Sequence, residues 1–193
     1  MKRGVGYAAS IKNLMFSEGF DDFSEARCIV DDGEVLIKSA CVEVGQGFVT
    51  LVGQIVEETL GISDITILPV DTSIGSAGST SASRQTWMSG GAVLKACEAV
   101  VDALLLDLSS ENGVAYDKSG LNLVSKDGSH SIDISAALRG RNYDEHVTHR
   151  HKRTFPLDHN GQGNAHVSFA FAAHRAVVLS LIHISEPTRP PEI

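Results

Sequence analysis

Cysteine is scarce in this 193-residue sequence and poorly spaced for chemistry: Cys28, Cys41 and Cys97 form an odd set with no C-x-x-C pair. That excludes a disulfide framework and a closed zinc site, and leaves reduced, buried small hydrophobes as the expectation. Basic charge is also short, with 16 Lys and Arg against 24 Asp and Glu and a formal net charge of −8. The sign is wrong for neutralising nucleic-acid phosphates or an anionic lipid surface, and no basic block reverses it locally. Long apolar runs are missing too. None approaches the roughly 18 residues of a membrane-spanning helix, and Met1-Lys2-Arg3-Gly4-Val5-Gly6-Tyr7 lacks the continuous apolar core of a signal peptide. No nucleic-acid partner, no membrane partner and a cytoplasmic setting are therefore expected.

Prolines number five, and three of them fall in the last fifteen residues, LSLIHISEPTRPPEI. This stretch breaks the pattern of the rest, and Leu179 to Arg189 resembles one reading frame of a transposase adapter used in sequencing libraries. It is set aside as a non-native tail, residues 179–193, so that the folding unit ends near Val178. At the front, Gly4 to Lys12 already alternates as a strand, which suits a piece of something longer.

What remains is ordinary globular material, 42% hydrophobic with a mean hydropathy of +0.02, enough for one sizeable core. Arg27–Val30 and Glu34–Glu43 flank Asp32-Gly33 and predict a hairpin. Phe48, Leu51, Val52, Ile55, Val56 and Leu60 recur at helical spacing up to a Gly61 stop. Ile65–Val70 reads as a buried strand. A helix is expected from about Ser83 to Leu106, with Val93, Cys97, Val100, Val101, Leu104 and Leu108 on one stripe. Leu121–Val124 and Ser129–Ile134 form a second hairpin about Asp127-Gly128, followed by a short helix to Arg139; this part reads as peripheral. Val147–Thr154 and Ala165–Val178 alternate as strands. Helices and strands interleave without βαβ regularity, so the expected class is α+β, with mixed sheets and two main helices.

Two places invite a ligand. Gly45-Gln46-Gly47 stands where a strand-like run becomes a helix. A helix start leaves up to four backbone N–H groups unpaired and favours an anion. Glycines let a ligand approach the backbone, and a glutamine amide offers donors and an acceptor. The plain alternative is a strand end with Gln46 in water. The second place is Ile74 to Gln85, rich in Gly, Ser and Thr, running straight into the long helix. Read alone it is a flexible linker. As a helix start, its N–H groups, the hydroxyls of Thr80, Ser81 and Ser83, and the Arg84 cation converge on phosphate.

Together, Val42-Glu43-Val44-Gly45-Gln46-Gly47, the helix to Leu60-Gly61, the strand into Asp71-Thr72, and Thr80-Ser81-Ala82-Ser83-Arg84-Gln85-Thr86-Trp87-Met88-Ser89-Gly90 resemble the molybdopterin-binding subunit of the xanthine dehydrogenase and aldehyde oxidase family. Gly161 to Val178 resembles the long strand that follows in bacterial, purine-hydroxylase-like members. The resemblance covers nearly all of Arg3–Val178, so residues 1–178 are expected to be a partial molybdopterin-binding domain. It implies that Gly45, Gln46 and Gly47 lie against the pterin and metal end of a molybdopterin cofactor, in its cytosine dinucleotide form, with Gln46 placing its amide near a molybdenum oxo ligand. Ser81, Ala82, Ser83, Arg84 and Gln85 would cradle the pyranopterin and phosphates. It further implies hydroxylation of an electron-poor C–H of a purine or aldehyde with oxygen from water, and iron–sulfur and FAD partner domains or subunits.

The family's catalytic base belongs to a glycine-glutamate motif with no match here, so no catalytic residue and no metal ligand is named. Glu43 adjoins the site, but is read as a structural carboxylate accepting local N–H bonds. His146, His149 and His151, among Arg150, Lys152 and Arg153, are read as an edge strand blunted by charge rather than a metal site. Met15, Trp87 and Met88 are read as ordinary packing. Two other classes stay open: a phosphate or nucleotide binder using the same helix starts without redox chemistry, and a structural domain whose Gly-rich turns are only turns.

Overall fold

A computed structural model describes residues 2–180. The chain runs β1 (Lys2–Leu14), β2 (Phe23–Asp31), β3 (Glu34–Ser39), α1 (Phe48–Leu60), β4 (Ile65–Ile67), α2 (Gln85–Asn112), β5 (Tyr116–Ser119), β6 (Asn122–Ser125), β7 (Ser131–Asp133), α3 (Ile134–Ala137), β8 (Asn142–Arg150) and β9 (Ser168–Ser180). A single 3₁₀ turn, Thr72–Ile74, interrupts the long connection before α2.

The organising sheet is mixed and four-stranded, in the order β4-β3-β2-β8. Its hairpin forms where expected: Asp32 and Gly33 sit at φ 51° and 87°, the left-handed pair that matches the twist of the flanking strands. Strict alternation in β2 and β3 then turns Ala26, Cys28, Val30, Val35 and Ile37 to one face. Against that face pack α1 and α2, supplying Val52, Val56 and Leu60 from one helix and Val93, Ala96, Cys97, Val100, Val101 and Leu104 from the other, all buried. Each such side chain contributes about 1.5–3 kcal/mol by leaving water. The class is the α+β arrangement with mixed sheets and two main helices read from the sequence.

Several boundaries differ from that reading. The long helix continues to Asn112, because its last turn has tertiary and side-chain support that propensity does not display: Ser109 Oγ donates to Leu105 O (2.6 Å), Asn112 Nδ2 to Leu108 O (2.9 Å), and Arg141 clasps Glu111 (2.6 and 2.8 Å). β4 is only three residues long and half-buried, an edge strand parallel to β3 rather than a buried one. β8 begins and ends earlier than the alternation suggested, since its register is set by pairing along β2 from Phe23↔Arg150 to Asp31↔Asn142. A three-stranded meander, β5-β6-β7, includes β5, which the sequence reading missed. That region is not peripheral throughout: Leu123, Ile134 and Leu138 are fully buried in the main core.

The two ends of the described chain meet. β1 and β9 pair antiparallel from Lys2↔Ser180 to Leu14↔Ser168, as a ribbon exposed on both faces. Leu179 and Ser180, assigned to the tail by the sequence reading, belong to this pairing, because backbone hydrogen bonding to β1 does not depend on their side chains. Residues 181–193 of that tail lie outside the described residues.

Candidate functional site

The two helix starts singled out in the sequence open onto one hollow of about 560 Å³, lined by Val44, Gln46 and the run Thr80 to Thr86. The core places them together: α1 and α2 pack side by side on the same sheet face, with their N-terminal turns at the same end. Six of the eight predicted site residues, Gln46, Ser81, Ala82, Ser83, Arg84 and Gln85, line the hollow. Gly45 and Gly47 flank Gln46 and hold left-handed φ values of 98° and 83°, with nothing within 4 Å of where a Cβ would sit. The left-handed conformation, not crowding, is what calls for glycine there.

The start of α1 is not bare. Glu43 reaches forward so that its Oε1 accepts from Gly45 N (2.7 Å) and Gly47 N (3.1 Å) while Oε2 accepts from Val49 N (3.1 Å). Bonds from Val49, Gly47, Gly45 and Phe48 N–H hold this carboxyl below the usual carboxylate range. The expectation of a structural carboxylate is met. Gln46 is engaged as well: its Nε2 donates to Val42 O (2.9 Å) and its Oε1 accepts from Val44 N (2.7 Å), so the amide closes its own turn instead of standing free toward a ligand.

The start of α2 is different. Its cap residue, Arg84, makes no side-chain cap. Ala82 and Ser83, neither of them glycine, sit at φ 54° and 51°, each costing about 1–3 kcal/mol of backbone strain. Two strained residues beside a hollow mark the segment as held for a purpose other than its own stability. Thr80, Ser81 and Ser83 are exposed, with Ser81 Oγ bonded to Ser79 Oγ (2.9 Å).

Arg84 corrects the sequence reading. Its guanidinium is fully buried and does not face phosphate. Nε and Nη2 donate to Asp22 Oδ2 and Oδ1 (2.7 and 2.8 Å), Nη1 to Ala77 O and Ser79 O (2.6 and 3.0 Å), and Nη2 also to Phe23 O (2.9 Å). All its donors are used in fixing the loop. Gln85 is likewise internal: Nε2 donates to Ser79 O and Thr80 Oγ1 (3.2 and 3.0 Å), and Oε1 accepts from Cys41 Sγ (3.0 Å) and from Ser89 Oγ. Asp22, Cys41 and Ser89 are thus site-supporting residues missed from sequence. Asp22 lies 62 residues from Arg84, and no local pattern links them.

The other singled-out residues fall elsewhere. Met15 and Met88 pack in a small second cluster, while Trp87 is 46% exposed rather than packed, on the first turn of α2. His149 is not on a solvated face: its ring rests on α2 against Gly91, 2.7 Å from where a Cβ would be. Burial, then the charges of Lys95 and His151, push its pKa down. Among the described residues, no group of three or more His, Cys, Asp or Glu is placed to hold a metal ion. No helix among them is long and apolar enough to cross a membrane.

Residues 1–180 match the family model described as the molybdopterin cofactor-binding domain. Xanthine dehydrogenase 1 of Arabidopsis thaliana is 31% identical over 139 residues, covering 70% of this chain and 10% of that protein. Among solved structures, a Cu,Mo-CO dehydrogenase aligns with a TM-score of 0.68 at 15% identity, over 91% of this chain and 24% of the other. The aldehyde oxidoreductase of Desulfovibrio desulfuricans aligns with a TM-score of 0.57 at 23% identity, over 91% of this chain and 18% of the other. The chain therefore spans about a tenth of the length of the curated relatives it matches, and the likeness to the solved structures is one of fold.

Proposed function

The chain belongs to the molybdopterin cofactor-binding domain family, and from that premise we propose that its hollow between Gln46 and Thr80–Thr86 receives the pterin cofactor. The observation that carries the reading is the convergence of both helix starts on one hollow, one capped internally and the other without a side-chain cap. The donor set fits an anionic, hydrogen-bonding guest: backbone N–H groups at the start of α2 and the hydroxyls of Thr80, Ser81 and Ser83 would hold phosphate. Arg84 and Gln85 act one layer back, holding the Ser79–Ser83 backbone in its strained form. Gly45, Gln46 and Gly47 would lie against the other end of the guest.

When bound, the group supplies molybdenum redox chemistry; the activity proposed for the whole protein is hydroxylation of an electron-poor C–H of a purine or aldehyde with oxygen from water, electrons passing to iron–sulfur and FAD centres. A cytosine dinucleotide form of the cofactor and a cytoplasmic setting belong to the same proposal. Within this chain no residue is assigned as base. Glu43 is unsuited to the task, since its carboxylate already accepts three N–H bonds and its proton affinity is lowered.

The test is metal and pterin analysis of the protein produced in cells that make the cofactor. Stoichiometric molybdenum with a fluorescent pterin released on oxidation is expected. A protein that retains nucleotide without molybdenum would instead be the non-redox binder, and one that retains neither would leave only a structural domain.

A further inference from the structure

A recess of about 420 Å³ opens away from the hollow, between the Gly19–Asp21 turn and the chain that leaves β8 at Arg150, and the two share no lining residue. Thr154, only 2% exposed, ties its walls together, with Oγ1 accepting from Gly19 N (3.1 Å). Two guanidinium groups line it, and aromatic rings hold both. Arg150 lies over Phe23, 4.9 Å from the ring centroid, and Arg153 over Phe155 at 5.4 Å. Stacking engages the face of a guanidinium and leaves the N–H fork in its plane free. Arg150 gives only Nη1 to a carboxylate, that of Asp21 (2.5 and 2.6 Å). Arg153 makes no hydrogen bond or ion pair among the described residues. Two fixed cations thus share one carboxylate, a local surplus of positive charge in a chain of net charge −8.

We propose that this recess is an anion site separate from the hollow, taking a phosphate group between Arg150 and Arg153. The two oxygens of a carboxylate are matched by a single guanidinium fork, whereas a tetrahedral phosphate has oxygens for two. Asp21, with a side chain 77% exposed, is the resident competitor that an entering phosphate displaces from Arg150. Since the lining residues are distinct, this site does not depend on the cofactor reading of the hollow.

Amide NMR of the full 193-residue chain, titrated with inorganic phosphate and, at equal ionic strength, with chloride, tests this. The Gly19, Phe20, Asp21, Arg153 and Thr154 amides should move saturably with phosphate and stay still with chloride. Arg153→Gln, at an exposed position, should weaken the response at least about tenfold through loss of a charge-assisted pair, and Arg153→Lys should recover only part of it. Asp21→Asn should strengthen it about two- to fivefold, the worth of the surface ion pair that phosphate must break. Recess amides that ignore phosphate, that answer chloride equally, or that keep their full response in Arg153→Gln overturn the site. An unchanged or weaker response in Asp21→Asn overturns the role of Asp21 as competitor. Acetate binding as tightly as phosphate would overturn the assignment to phosphate. Should Arg153→Gln lose its dispersed spectrum, Arg150→Gln takes its place with the same outcomes. The Ser81–Thr86 amides report on the hollow in the same spectra, so failure of one reading is seen apart from failure of the other.

Discussion

Replacing Arg84 with Met is expected to unfold the site loop before it unfolds the protein. The side chain is fully buried, and its partner Asp22 is 5% exposed. Removing the guanidinium strands that carboxylate and deprives Ala77 O, Ser79 O and Phe23 O of donors. Breaking a buried pair from one side costs about 3–5 kcal/mol, about a fifth or more of the stability of a typical domain. For a chain of this size that corresponds to a fall in Tm of about 6–20 °C. Asp22→Asn, which leaves the guanidinium facing a neutral amide, should fall in the same direction. Because Arg84 and Asp22 form one network, the double substitution should cost clearly less than the sum of the two single ones. Urea denaturation gives the free energies, and amide hydrogen exchange gives the location, with protection lost first from Ser79 to Gln85. A loss under about 1 kcal/mol for Arg84→Met, or exchange rising uniformly over α2 instead of in the loop, would refute the view that this cation is the loop's internal clamp.

Other expectations follow from the same contacts. Asp71 is held at about 2 by the Ser73 N–H, the Ser73 hydroxyl and Lys38; a carboxyl depressed in the fold stabilises it above the ordinary carboxylate pKa and loses that contribution as pH falls toward 2. Ser73→Ala, which keeps the N–H and removes the hydroxyl, should raise the Asp71 pKa measured by NMR titration, and an unchanged value would remove the Ser73 hydroxyl as a cause. The hydrogen bond with Cys97, Sγ to Sγ at 3.9 Å, and then burial push the Cys28 thiol up, and burial pushes Cys41 up as well. Native protein should therefore resist a thiol reagent and yield three thiols only when denatured, whereas rapid labelling under native conditions would contradict this packing. Gly91→Ala drives a Cβ against the His149 ring at 2.7 Å. Overpacking of about 1–3 kcal/mol should outweigh a helix-propensity gain of up to about 1 kcal/mol. Gly53→Ala, with nothing within 4 Å, should gain that propensity instead, and the two shifts in urea midpoint should have opposite signs.

Legibility from sequence followed distance along the chain. The Asp32-Gly33 hairpin, the Gly61 stop of α1 and the buried stripe of α2 were all readable, because each is decided by residues within a few positions of one another. The 45–47 and 81–85 segments were read as helix starts for the same reason: glycines and hydroxyls before an amphipathic run mark a helix start. The roles of individual side chains inside those segments were less readable. Arg84 looked like a phosphate ligand and Gln46 like a free donor, and both are engaged by the protein itself. Trp87 and His149 were misplaced because the side of an element that faces solvent is set by what packs on it.

By itself, then, the sequence determined the Asp32-Gly33 hairpin, the Gly61 stop of α1 and the buried stripe of α2, and it singled out two segments, 45–47 and 81–85, as helix starts. Only the tertiary structure decided that the two segments open on one hollow, that β1 closes on β9, and that Asp22, far upstream, takes the charge of Arg84. The reason is physical: local propensity and periodicity act through neighbouring residues. A buried cation or an exposed helix start, by contrast, takes whatever partner the packed fold brings within about 3 Å, at any separation along the chain.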